Sequence, residues 1–265
     1  MIDTLDNLHI LITRQQKQSE TLGKKIVQLQ GRFTVFPLFE IRPVGTRVAI
    51  EAAVASALRQ DIIIFTSKNS VKYIMPIIKK LKPTVEQLQN RLWASIGPGT
   101  AELLTDHGIP AVLYPPVGPY NSERLFQLLQ LKSLKNKRIS LFTGRERQTQ
   151  LEIELSKEGA VVEVIEVYQR CKPAFNLQEF DKLISDDLVD IIVVTCETSL
   201  QNLLYLSKKL DKVFWSLPLL VISERIYQKA MNLGFSNIIL TSSMTDEAIL
   251  STLLSWSTEM RSANG

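Results

Sequence analysis

Asp61 to Ile74 reads DIIIFTSKNSVKYI, and Asp190 to Leu203 reads DIIVVTCETSLQNL. Each is an acidic residue, a run of apolar and largely β-branched residues, a hydroxyl-bearing turn, and then apolar residues at helical spacing. A strand feeding a helix, written twice, predicts two related α/β units. The match extends outward from there. Ser95 to Ile109 (SIGPGTAELLTDHGI) aligns with Ile222 to Phe235 (ISERIYQKAMNLGF) with one residue of slack, and Gly108 and Gly234 end both helices. Ile10 to Arg14 (ILITR), before a helix ending at Gly31, parallels Ile139 to Arg145 (ISLFTGR), before a helix ending at Gly159. A duplicated chain of this kind is expected to enclose a cleft between its halves.

The same rhythm runs along the whole chain. HILIT (9–13), FTVFPL (33–38), DIIIFT (61–66), LWASIG (92–97), AVLYP (111–115), RISLF (138–142), VVEVIEVY (161–168), DIIVVT (190–195), PLLVIS (218–223) and NIILT (237–241) read as strands, most of them followed by an amphipathic stretch. Strands alternating with helices predict a parallel sheet in each half, so the expected class is α/β with two similar, flavodoxin-like, doubly wound domains. Leu22, Ile26 and Leu29 share a helix face. Ser223 precedes Ile226, Ala230 and Leu233, and Thr245 with Asp246 and Glu247 opens the last helix. Proline-marked stretches at 37–43 and 168–173 fall at matching points of the two repeats and are the expected joints, flexible enough to let the domains close.

Composition narrows the chemistry. The 265 residues are 45% apolar and 22% charged, ordinary for a soluble chain, and no apolar run approaches the roughly 20 residues a membrane helix needs. A cytoplasmic protein without membrane contact is expected. Cys171 and Cys196 are the only cysteines and His9 and His107 the only histidines, too few for a zinc site or a disulfide scaffold, so no metal is expected. The net charge of +4 is dispersed apart from short groups such as residues 132–138, and no nucleic-acid motif accompanies it. An anionic small molecule suits it as well as a solvated surface does. Gly97-Pro98-Gly99-Thr100 has neither the glycines nor the lysine of a phosphate loop, no GxGxxG follows the first strand, and no GxSxG elbow exists.

Hydroxyls gather where a doubly wound sheet binds ligands, beyond the carboxyl ends of its strands, where helix N-termini offer unbonded N–H groups. Thr13 and Arg14, Thr66 and Ser67, Gly97 with Thr100, Asn121 and Ser122, Thr143 and Gly144, Thr195 and Ser199, and Ser223 all fall at such turns. Helix capping accounts for any one of them. Their recurrence on both repeats points to carboxylate or phosphate binding by the set. Cys196 stands where the other repeat has Ser67, and a cysteine ending a buried strand reads first as a small core residue.

Together these motifs carry a resemblance. Ile12-Thr13-Arg14 with Gly31, Pro37-Leu38, Ile41-Arg42-Pro43, and Phe65-Thr66-Ser67 with Asn69 and Val71 are followed by Gly97, Gly99, Thr100 and Ala101. Then come Asn121-Ser122-Glu123 with Leu125, Gly159-Ala160-Val161 leading to Tyr168-Gln169-Arg170, Val194-Thr195, and Ser223 and Arg225 with Ala230 and Gly234. In this order and spacing the chain resembles the uroporphyrinogen-III synthase family over essentially its whole length.

The resemblance implies two α/β domains joined by a pair of extended linkers, one domain built from both chain ends: 1–37 with 173–265, and 43–168, with linkers 38–42 and 169–172. It implies a cofactor-free enzyme that converts the linear tetrapyrrole hydroxymethylbilane into uroporphyrinogen III, losing water and inverting the last pyrrole through a spiro intermediate. A monomer in transient contact with the preceding deaminase is the matching expectation for partners. Tyr168 becomes the leading acid candidate, since a phenol stays protonated at neutral pH, with packing between domains as its plainer role. The implied substrate contacts are Thr13, Arg14, Thr66, Ser67, Asn69, Gly97, Thr100, Ala101, Ser122, Gly144, Arg145, Thr195, Ser199, Ser223 and Arg225. Gln148, where relatives have arginine, and Cys196, where serine is usual, depart from the pattern, while Lys68 and Arg124 are left between substrate and solvent. The competing readings are a non-enzymatic two-lobed binder of a small anion or tetrapyrrole, and a degenerate relative kept as an assembly partner.

Overall fold

A computed structural model describes residues 4–6, 8–147, 149–185, 188–207, 212–243 and 245–264. The chain opens with β1 (His9–Ile12), α1 (Gln16–Gln28), β2 (Arg32–Val35) and β3 (Glu40–Pro43). It continues through α2 (Arg47–Ala57), β4 (Ile62–Phe65), α3 (Lys68–Leu81), α4 (Val85–Gln89), β5 (Leu92–Ser95), α5 (Pro98–Asp106), β6 (Val112–Leu113), α6 (Ser122–Gln130), β7 (Arg138–Gly144), α7 (Gln150–Lys157) and β8 (Val161–Cys171). The last part holds α8 (Leu177–Ser185), β9 (Ile191–Val194), α9 (Glu197–Ser207), α10 (Lys212–Ser216), β10 (Leu219–Val221), α11 (Glu224–Asn232), β11 (Ile238–Leu240) and α12 (Asp246–Asn264). Each of the ten expected strand runs overlaps a strand. The additional one, β3, lies in a stretch whose prolines read as a joint.

Two compact units result: residues through Glu40 together with those from Cys171 onward, and Ile41–Arg170. The first holds a five-stranded sheet of order β11-β10-β9-β1-β2, and the six-stranded sheet has the order β3-β8-β7-β4-β5-β6. Counted from the strand that opens each repeat, β1 or β7, both orders read 2-1-3-4-5, the flavodoxin-like order, with β3 added beside β8. Apart from the added β3, the chain enters the first sheet at the repeat's first strand and the second at the repeat's third strand, β4. The duplication thus runs in the same order twice along the chain, and the two sheets exchange the last three strands of each repeat.

Identical bonds anchor the equivalence. Asp190 accepts the backbone N–H of His9 at 2.6 Å and donates its own to the His9 carbonyl at 2.9 Å. Asp61 does the same with Arg138, at 2.8 Å and 2.9 Å. The bond from Arg138, with Lys137 beside it, holds the Asp61 carboxyl below the usual carboxylate range. The acidic residue that opens both quoted stretches thus fixes the start of the parallel ladder.

Strand alternation sends side chains to both faces, as burial between two helical layers requires. Ile63 and Phe65 join α2, α3 and Trp93 on one face, and Ile62 and Ile64 join Leu125, Leu129 and Leu155 on the other. In the first unit Leu11, Ile192 and Val194 meet Phe180 and Phe214, whereas Ile10, Ile12, Ile191 and Val193 meet Leu22, Ile26 and Trp256. Each such side chain, taken out of water, contributes on the order of 1.5–3 kcal/mol. Gly108, Gly159 and Gly234 follow their helices at φ of +93°, +81° and +99°, as expected. Gly31 does not: Gln30 takes the left-handed turn, and a Cβ on Gly31 would lie 2.8 Å from Ile26 and 3.1 Å from Leu5.

His9 hydrogen-bonds through Nε2 to Thr34 Oγ1 at 2.8 Å, and burial, opposed in part by the bond to the Leu188 backbone and by Asp190, lowers its pKa from the usual value. The unfolded chain therefore takes up a proton at higher pH than the folded one, so this contribution is complete above about pH 6.5 and is lost as pH falls below it. Urea unfolding between pH 8 and 5 is expected to show stability falling with acidification, with a shallower slope in His9→Gln. Equal slopes would remove His9 from the account.

Candidate active site

In each sheet the crossover direction reverses once, between β1 and β9 in the first unit and between β7 and β4 in the second. Thr13, Arg14, Thr195 and Cys196 surround the first switch point, and Thr143, Gly144, Thr66 and Ser67 the second.

The second unit carries the denser hydrogen-bonded arrangement. Ser67 caps α3 by accepting the N–H of Ser70 at 3.2 Å, in a reciprocal capping box. Its hydroxyl also donates to the Tyr168 phenol oxygen at 3.0 Å. Thr66 donates to Thr143 Oγ1 at 3.0 Å. The Tyr168 ring is 4% exposed and stacks on Tyr73 with centroids 6.4 Å apart and planes 15° apart. Tyr73 donates in turn to the Ile41 carbonyl at 3.3 Å, and burial raises its pKa. On the other side the ring crosses Gly144, where a Cβ would lie 2.7 Å from its carbons and 3.0 Å from its hydroxyl.

The backbone explains how the tyrosine reaches that place. Thr143 pairs with Glu166 but Gly144 with Tyr168, so β8 carries one extra residue, Val167, opposite the end of β7. Such a bulge re-aims the side chains that follow it. The other repeat provides a comparison: Arg32 and Val161 are the corresponding partners of His9 and Arg138, and seven residues on from them stand Phe39 and Tyr168. Phe39 is buried, as Tyr168 is, but has no hydroxyl. Only one repeat carries a phenol there.

The remaining expected contacts separate into groups. Asn69 and Ser122 are half-buried on the first turns of their helices, and α6 is capped by the Asn121 side chain. Gly97 caps α5 without a side chain, while Thr100 and Ala101 are buried with their N–H groups bonded to the Gly97 carbonyl. Arg145 bonds Glu166 at 3.2 Å and Gln169 at 3.0 Å, and its N–H meets the Tyr168 carbonyl. Arg147 shares Glu166 and reaches Glu152. Gln148 lies outside the described residues.

In the first unit, Thr13 is buried and donates to the Val193 carbonyl at 2.7 Å, and Arg14 is ion-paired to Asp246 at 2.6 Å. Cys196 caps α9 through sulfur, accepting the N–H of Ser199 at 3.4 Å, with the Ser199 hydroxyl 3.3 Å away. Ser199 is fully buried, so its side chain serves the cap, and cysteine at 196 keeps the geometry of Ser67 with a softer acceptor. Thr195 is half-buried beside it, and Ser223 caps α11. Arg225 pairs with Glu197 at 2.9 Å, and Lys229 joins the same carboxylate.

Gly144 as a notch for a ring, and Tyr73 as the surface beneath it, went unread in the sequence. The only local signal was a glycine following Thr143, where the other repeat has Arg14 after Thr13. Among the described residues no three His, Cys, Asp or Glu side chains gather where a metal ion could be held, and no helix is long and apolar enough to cross a membrane.

Two doubly wound α/β units with hydroxyl-lined switch points, one bearing an ordered phenol, define a two-unit α/β protein with ligand-type turns in both sheets. The family model described as "Uroporphyrinogen-III synthase HemD" matches residues 20–251. The chain belongs to the uroporphyrinogen-III synthase family, among the enzymes of tetrapyrrole and haem biosynthesis. It is 27% identical over 254 residues to the uroporphyrinogen-III synthase of Escherichia coli K12, covering 93% of this chain and all of that one. Its fold is similar to a mutant uroporphyrinogen III synthase from the extremely thermophilic bacterium Thermus thermophilus (TM-score 0.65, 16% identity, covering 96% of this chain and 99% of that one). The uroporphyrinogen-III synthetase of Helicobacter pylori 26695 gives the same TM-score of 0.65 at 18% identity, covering 94% and 99%.

Proposed function

We propose that this protein is a uroporphyrinogen-III synthase, a cyclising hydro-lyase that closes hydroxymethylbilane into uroporphyrinogen III with inversion of the last pyrrole. The observation that carries this reading is the family match across residues 20–251. Loss of the hydroxyl from the first ring leaves an electrophilic azafulvene, and a proton donor at the departing oxygen lowers that barrier. Tyr168 is the proposed donor. It accepts from Ser67 at 3.0 Å, so that bond leaves the phenolic hydrogen for another partner.

Hydroxymethylbilane presents eight carboxylates, and the turns of Thr66, Ser67, Asn69, Gly97, Ser122, Gly144, Arg145, Thr195, Ser223 and Arg225 are proposed to grip them. Thr13, Arg14, Thr100, Ala101 and Ser199 are proposed to act behind these turns, since their side chains are buried. Holding the substrate against direct closure favours the inverted product, so orientation supplies much of the catalysis. No cofactor takes part in this scheme. The proposed working form is a cytoplasmic monomer, with domain limits at 1–37 with 173–265 and at 43–168, receiving its labile substrate by transient contact with the preceding deaminase.

A coupled assay tests the reading: porphobilinogen, the deaminase and this protein, followed by oxidation and chromatographic separation of uroporphyrin isomers. Isomer III is expected to predominate. Isomer I alone, from a folded sample, overturns the proposal and favours a binder without chemistry.

A further inference from the structure

The two repeats differ in charge at one corresponding place. In each unit the helix after the central strand packs beside the next one: α9 beside α11, and α3 beside α5. The residue after the cap is Glu197 in α9 and Lys68 in α3. The second residue of the neighbouring helix is Arg225 in α11 and Gly99 in α5. In the first unit these positions form a closed pair, Arg225 Nε lying 2.9 Å from Glu197.

In the second unit the cation has moved to the other helix and its carboxylate has gone. A Cβ on Gly99 would lie 2.6 Å from Lys68 Cε and 2.9 Å from its Nζ, so the glycine makes the space in which the ammonium rests. Among the described residues Lys68 has no ion-pair partner. It is exposed, two residues before Ser70 and directly after the Ser67 that bonds Tyr168.

From this reversal we infer that Lys68 is a specificity-determining contact, binding one carboxylate side chain of the substrate beside the Ser67–Tyr168 pair. The inference rests on the proposed synthase reading. Arg225 has its charge met within the protein, whereas Lys68 meets an anion only when a ligand brings one. The starts of α3 and α5 are positive ends of helix dipoles, so an arriving carboxylate also relieves the crowding of like charge around the ammonium.

The test compares wild type, Lys68→Met, Lys68→Arg and, as a charge-matched control at the far end of α3, Lys79→Ala. Lys68→Met is expected to raise KM for hydroxymethylbilane roughly fivefold, equivalent to about 1 kcal/mol, with kcat within about twofold. Lys68→Arg should restore most of the loss, and the difference should shrink as salt is raised. Lys79→Ala should match wild type. Titration with uroporphyrin III, an octacarboxylate read by quenching of tryptophan fluorescence, should show the same order of affinities without turnover. An unchanged KM and unchanged porphyrin affinity in Lys68→Met at low salt would overturn the inference while isomer III production stood. A wild type that forms only isomer I but binds the porphyrin through Lys68 would overturn the synthase reading alone, and one that does neither overturns both.

Discussion

Tyr168→Phe is expected to lower kcat for formation of uroporphyrinogen III by roughly 100-fold, the lower range for loss of a positioned acid, with KM changed by no more than about twofold. The substitution is informative because the ring and the hydroxyl have separable tasks. The ring is packed, stacked on Tyr73 and seated over Gly144, and phenylalanine keeps both contacts. Phenylalanine differs from tyrosine only by the hydroxyl, so the packing around the ring is kept. What Tyr168→Phe removes is the phenol 3.0 Å from Ser67. Since Ser67 also caps α3 by accepting from Ser70, the helix keeps its cap. A kcat equal to that of wild type in the isomer assay would assign Tyr168 to packing alone.

Gly144→Ala is expected to destabilise the protein by roughly 1–3 kcal/mol, the usual cost of forcing an extra carbon into a packed interior, and to lower kcat at least about tenfold. The added Cβ would meet Tyr168 carbons at 2.7 Å, a separation that real Cβ contacts do not show. Relief requires the ring to swing away, which takes the hydroxyl from Ser67. The backbone offers little room for retreat, because Gly144 is paired to Tyr168 at the bulge and Arg145 N–H bonds the Tyr168 carbonyl at 2.9 Å. Urea unfolding and steady-state kinetics on the same sample check both parts. The double variant Gly144→Ala, Tyr168→Phe separates them: if the glycine acts through the phenol, it should lose little further activity beyond Tyr168→Phe. Additive losses would show that Gly144 works independently of the tyrosine.

The strands, most helix ends and the duplication were legible in the sequence because they follow from short-range rules. DIIIF and DIIVV are apolar on both alternations, so each must lie between two layers, and Ser67, Ser223 and Thr245 are acceptors placed to meet the open N–H groups of the helices behind them. Capping also explains the limit of the site reading. A hydroxyl at a turn is needed for the helix whether or not a ligand comes, so sequence alone ranked buried Thr100 and Ser199 with half-buried Ser67. Arg14 and Arg225 read as cations for a substrate, but their nearest carboxylates, Asp246 and Glu197, come from 232 residues away in one case and from a neighbouring helix in the other.

By itself, then, the sequence determined the α/β class, the repeat, the strand cores and the family, because periodicity, caps and motif order are local properties of the chain. The tertiary structure alone decided the exchange of strands between the two sheets, the seat of Tyr168 over Gly144, and which cations are already paired. The physical reason is separation along the chain: a ring 24 residues beyond Gly144 in sequence crosses it only because parallel strands β7 and β8 lie side by side with one bulged residue between registers. Charge pairing follows the same rule, since the helices that bring Glu197 to Arg225, and leave Lys68 beside a glycine, are neighbours only once the sheet has formed.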